Sequence, residues 1–141
     1  MEAPGYLSDN FKVTVDDAQG SAGTEFDSTI LDMTGFDSVL FVVKLGTSNA
    51  GNFAKAQEDS VIGFGGVQDL LGTKSAGQKT LLVDVQRPVK QFVRCAVIRA
   101  GANTTVDSVV AIQYNARNLP IVQAATVALA QAMAPAEGAV A

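Results

Sequence analysis

The chain has no histidine, no tryptophan, one cysteine and only 17% charged residues among its 141. Each scarcity excludes something. Without histidine it lacks the commonest general base and metal ligand at neutral pH. A Ser-His-Asp or Cys-His site is therefore impossible within one chain. The single Cys95 cannot close an internal disulfide, and a zinc site would need several Cys or His residues. The missing disulfides fit assembly in a reducing cytoplasm. Cys95 lies in the apolar run Phe92-Val93-Arg94-Cys95-Ala96-Val97-Ile98, where a cysteine behaves as a small buried hydrophobe. The longest strongly apolar run, Val39 to Val43, is too short to span a bilayer. Met1-Glu2-Ala3-Pro4-Gly5 has neither the basic nor the apolar part of a signal peptide, so none is expected.

Charge narrows the partners. The net charge of −4 gives no cluster of Lys and Arg to neutralise phosphates, which argues against nucleic acid. Arg87, Lys90, Arg94 and Arg99 form one locally basic stretch, read as a solvated or subunit-facing strand edge. The charged fraction lies below the roughly 25% of soluble domains. Either partners bury part of the surface, or a large core accounts for the composition.

What is present is period-two patterning. Phe11, Val13 and Val15 alternate with Lys12, Thr14 and Asp16, as in a half-buried strand. Phe26 to Met33 is a weaker strand. Asp37 to Leu45, with Val39-Leu40-Phe41-Val42-Val43 continuous, reads as a strand buried on both sides. Phe53 to Glu58 reads as an edge strand. Residues 60–78 hold five glycines and read as a long loop with a helical turn near Val67 to Leu71. Leu81, Val83 and Val85 alternate with polar neighbours until Pro88. Lys90 to Tyr114 reads as an antiparallel hairpin, with Val106, Val110, Ile112 and Tyr114 on one face. These strands predict an all-β domain, a β-sandwich or jelly roll over residues 11–118. Residues 1–10 form an N-terminal arm. Residues 119–141 form an alanine-rich C-terminal arm or short helix, with Val122, Thr126, Leu129 and Met133 at helical spacing.

Candidate chemistry is thin. Asp16 with Asp17, and Glu58 with Asp59, are adjacent carboxylates that point to opposite faces of a strand and so do not converge. They read as solvated residues at loop boundaries. Gly63-Phe64-Gly65-Gly66 is not a phosphate-binding loop. Asn103-Thr104-Thr105 matches a glycosylation triplet, which means little without a secretion signal. Asp27, Asp32 and Asp37 lack the spacing of a calcium loop. No catalytic, cofactor-binding or metal-ligating residue is assigned, and no enzyme activity, cofactor, nucleic acid or membrane is expected.

Three segments carry a resemblance. They are Asp27-Ser28-Thr29-Ile30-Leu31-Asp32-Met33-Thr34-Gly35-Phe36-Asp37-Ser38-Val39-Leu40-Phe41-Val42-Val43, then Leu82-Val83-Asp84-Val85-Gln86-Arg87-Pro88-Val89-Lys90-Gln91-Phe92-Val93-Arg94-Cys95, and finally Ala111-Ile112-Gln113-Tyr114-Asn115-Ala116-Arg117. Together they resemble small head structural proteins of tailed bacteriophages, among them capsid cement, or decoration, proteins. The resemblance implies a virion protein on the outer capsid surface. Its partner would be the major capsid protein, it would be a homo-oligomer with a trimer favoured, and it would be assembled in the host cytoplasm. It carries over no contact residues. A fibre base or head–tail completion protein is the alternative within the virion. A carbohydrate-binding β-sandwich is the alternative outside it, disfavoured because the chain has no Trp and only two Tyr.

Overall fold

The computed structural model describes residues 6–70, 74–76, 78–117, 121–125 and 127–131. Two antiparallel sheets pack face to face. The strands are β1 (Lys12–Asp16), β2 (Gln19–Ala22), β3 (Phe26–Asp27), β4 (Leu31–Asp32), β5 (Phe36–Leu45), β6 (Asn49–Asp59), β7 (Gln68–Asp69), β8 (Lys74–Ala76), β9 (Thr80–Gln86), β10 (Phe92–Ile98) and β11 (Thr104–Ala116). The first sheet runs β1-β11-β5-β9, with β2 also on β11; the second runs β3-β10-β6-β7, with β4 also on β10 and β8 also on β6.

Strands β1 with β2, β3 with β4, and β7 with β8 are interrupted halves of single edge positions. Merging them leaves eight strands, ordered 1-8-3-6 and 2-7-4-5 along the chain. That is jelly-roll connectivity, in which successive strands change sheets except for the fourth and fifth, which pair within the second sheet. It corrects the Lys90–Tyr114 hairpin: β10 lies in the second sheet and β11 in the first, and they do not pair. The short connection after Ile98 crosses the sandwich instead of turning within a sheet.

The core is made of large residues from the first sheet set against small ones from the second. Val39, Phe41, Val43, Leu45, Leu81 and Val109 face Ala54, Ala56, Val93, Cys95 and Val97, and all are buried. This large-on-small pairing suits a layer about 10 Å thick between the two sheets. Burial pushes the Cys95 thiol up to about 12, as expected of a structural cysteine. Strand β6 is central, with β10 on one side and β7 and β8 on the other, which corrects its reading as an edge. Its alanines hid this, because they are weak strand formers chosen here for their small volume.

The two ends of the sandwich are closed by polar side chains bonded to backbone. At one end Arg99, 5% exposed, donates from Nε to the Thr24 carbonyl and from one terminal nitrogen to those of Gly20 and Thr104. Buried Asn52 accepts from Gly101 and Ala102 N–H and donates to the Ala102 carbonyl. A Cβ on Gly101 would come within 2.4 Å of the Gly51 backbone, so only glycine permits this approach. At the other end Glu58 accepts from Val89 and Lys90 N–H, and Gly35 turns the chain into β5 at φ +86°.

The described part of the C-terminal segment contains no helix. It packs against the N-terminal segment. Gln123 accepts from Val13 N–H and donates to the carbonyls of Ser8 and Phe11, Ile121 N–H donates to the Asp9 carbonyl, and Gln131 donates to Ser8 and Asp9. Val122 and Leu129 are exposed, so the expected helical stripe does not form there. Residues 1–5 and 132–141, with Met133, lie outside the described residues. No helical turn forms over Val67–Leu70, where β7 pairs with β6 instead.

Candidate functional site

Glu58 and Asp59 do point to opposite faces, but neither is solvated; both are 3% exposed. Glu58 turns inward to hold the β9–β10 loop. Asp59 turns outward and accepts from Val61 N–H at 3.1 Å and Gly66 N–H at 2.8 Å. The Val61 bond, with help from Gly66 and Ser60, holds its carboxyl below the usual range. Asp16 accepts from the Thr29 backbone and hydroxyl and ties the two sheets together along one edge. Asp16, Glu58 and Asp59 therefore each have a structural task, whereas Asp17 is exposed. The basic stretch also disperses. Arg99 closes one end, Arg94 sits on the outer surface of the second sheet, and Arg87 and Lys90 line an open cleft of about 570 Å³ with Met33, Phe36, Val89 and Arg117. The one carboxylate in that cleft, Asp37, is held by Arg117 at 2.8 Å. The cleft thus lacks a pair of carboxyls for acid–base work.

The outer face of the second sheet is a polar network. Arg94 Nε donates to Gln57 Oε1 at 2.9 Å, and its guanidinium lies 3.5 Å from Asp27 and 4.4 Å above the Phe64 ring. Gln57 and Lys55 both reach Asp69, at 2.8 and 2.9 Å. Asp27 Oδ1 is buried without a hydrogen-bond partner. Neighbouring Glu25 has its pKa raised, first by its hydrogen bond with Asp27, then by burial and by repulsion from that carboxylate. The 60–67 loop folds over this network through Phe64.

The outer face of the first sheet is the opposite. In antiparallel pairs, directly opposed residues share a face. The register Val15–Val110–Val42–Leu82 is one row across four strands, and Val13–Ile112–Leu40–Asp84 is the next. Their sequence neighbours Val109, Ala111, Val39, Phe41, Val43, Leu81 and Val83 are the buried inner row. Val13, Val15, Leu40, Val42, Leu82, Val110 and Ile112 therefore point away from the core. Val15 is 57% and Leu82 61% exposed, and the rest are half-buried by one another. Ser108, Lys44 and Thr80 bound this apolar field on one side. Tyr114, whose hydroxyl donates to Asp84, bounds it on the other.

Sequence reasoning found these residues and assigned some to the wrong side. The apolar face of β1 looks like a core face; it is the outer one, and Lys12, Thr14 and Asp16 lie along the inner side at the sandwich edge. A register shift between Val106 and Ser108 sends Val106 into the core while Val110, Ile112 and Tyr114 face out. The continuous run in β5 reflects a core on one side and this field on the other.

No protein-family model matches the chain, and no curated protein matches it in sequence.

Proposed function

We propose that the protein is a non-enzymatic virion component, a capsid cement protein that binds the outer surface of a shell of major capsid protein and stabilises it. The observation that carries this reading is the outward apolar face of the first sheet. Seven aliphatic side chains in two cross-strand rows, with charges only at the margin, form a broad apolar surface on a hydrogen-bonded sheet. Large apolar patches on soluble proteins mark interaction sites. A preformed sheet face suits a broad protein partner better than a small ligand, which needs a concave site. Four of the seven residues, Leu40, Val42, Leu82 and Ile112, lie within the segments that resemble phage head proteins. Residues 1–10 and 119–141, whose described parts pack on one another beside β1, are arms that meet neighbouring subunits from that edge, and the protein resides in the virion after assembly in the host cytoplasm.

The test is decoration of purified shells. Shells lacking the protein are mixed with it, pelleted and heated. Saturable co-sedimentation, with shells breaking at a higher temperature once decorated, is the expected result. Binding without any gain in shell stability would replace the cement role by a fibre base or other head component. No binding would remove the shell as partner.

A further inference from the structure

A sandwich has four edges, and three of them are blunted here. The β1–β2 edge is interrupted at Asp17–Ala18 and covered at Val13 by the Gln123 side chain. The β3–β4 edge consists of two two-residue strands, and the β7–β8 edge of strands of two and three residues. Short, broken edges are how soluble β-proteins avoid pairing with one another. The fourth edge, β9, is one continuous seven-residue strand without proline, lysine or a bulge.

Its free hydrogen-bonding groups follow from its flanks. Leu45 N–H donates to the Lys79 carbonyl, and Arg87 N–H donates to the Asp37 carbonyl. The odd-numbered residues of β9 therefore bond to β5. The N–H and C=O groups of Thr80, Leu82, Asp84 and Gln86 point to the free side, where no described strand pairs with them.

We infer that this edge pairs with β9 of a second copy of the chain, antiparallel about a two-fold axis at Leu82. Three registers place the free groups opposite each other over five or more residues, and centring on Asp84 would set two carboxylates against each other. Centring on Val83 would set Leu82 against the charged Asp84 of the partner subunit. Centring on Leu82 sets Leu82 against the partner's Leu82, Thr80 against the partner's Asp84, and Leu81 against the partner's Val83, so like faces like throughout. That register also joins the row Val15–Val110–Val42–Leu82 to its symmetry mate and makes one eight-stranded sheet with a continuous apolar outer face. A two-fold contact needs such self-complementarity. One edge of this length buries less than the roughly 1,600 Å² of a standard interface, so the dimer is weak in solution and gains strength in an array. The inference departs from a trimer and does not depend on the shell as partner.

Sedimentation equilibrium of the full-length protein up to millimolar concentration tests it without shells. The expected species are the 14.6 kDa chain and its dimer. Thr80→Lys places an ammonium opposite the partner's Asp84 and should tighten the dimer about fivefold. Thr80→Asp should loosen it by a similar factor, both from two cross-strand pairs per dimer. Leu82→Pro removes a free-side N–H while sparing the bonds to β5, and should lower affinity by more than about tenfold. Circular dichroism melting checks that each variant folds. If Leu82→Pro fails to fold, the opposed signs of the two Thr80 variants still decide. A monomer throughout, a trimer, or a dimer indifferent to Thr80 would each overturn the inference.

Discussion

The two outer faces of the sandwich are each built on four strand positions and carry opposite surfaces. On the second sheet Arg94, Gln57, Asp69 and Lys55 bond across neighbouring strands, and a loop folds over them through Phe64. On the first sheet the equivalent positions are valine, leucine and isoleucine with nothing described above them. The polar face is largely finished within the molecule, since its groups satisfy one another apart from Asp27 Oδ1. The apolar face has no such cover among the described residues, and under the proposed reading a partner supplies it. A side chain on the polar face therefore contributes mainly to stability, and one on the apolar face mainly to association.

The largest effect expected on stability comes from Arg94. Arg94→Ala strands the Asp27 carboxylate and Gln57 Oε1 and uncovers Phe64, and should lower unfolding free energy by about 2–3 kcal/mol, read from urea denaturation. If the loss is no larger than that for an exposed substitution, the polar network is not what holds the second face together. On the opposite face Val42→Thr should cost no more than about 1 kcal/mol, because Val42 is only half-buried. A loss equal to that of Arg94→Ala would mean that the first face is covered in the free protein and would erase the contrast.

The contrast was only partly legible in the sequence. Alternation located β1, β9, β10 and β11, and the all-β sandwich followed from it. Alternation does not say which side is the core when both sides can be apolar, as in β5 and β1. Nor does it show a register shift, which is why Val106 was grouped with Val110 and Ile112. The central place of β6 was hidden because it is lined with alanine, and the pairing of β10 was hidden because jelly-roll neighbours in sequence are not neighbours in a sheet. Glu58, Arg99 and Asn52 look like ordinary polar residues until their backbone partners, distant in sequence, are known.

Smaller effects sharpen the picture. Deleting residues 119–141 should leave the sandwich folded, because every strand lies upstream, and should speed amide exchange at Val13, which loses its bond to Gln123. Slow exchange at Val13 in the truncated chain would contradict the edge cover described here. Asp59 has a lowered pKa, so its contribution to order is present above the ordinary carboxylate range and is lost as pH falls through its depressed folded value. Amide exchange at Val61 and Gly66 should stay slow at mildly acidic pH and rise only in stronger acid. Exchange that rises already near the ordinary carboxylate value would show that the two N–H bonds do not hold the loop. The smallest effect is at Cys95, fully buried and poorly ionised. It should resist alkylation in the native state and react at the rate of global unfolding.

The central claim, that the apolar face is the docking surface for a shell, is tested most directly by replacing Val42 at its middle with aspartate. Val42→Asp and the natural protein are compared for co-sedimentation with purified shells, with melting curves recorded in parallel. The account predicts a variant that keeps the fold, melts close to the natural protein and no longer pellets with shells. A folded Val42→Asp protein that decorates shells as tightly as the natural chain would contradict it.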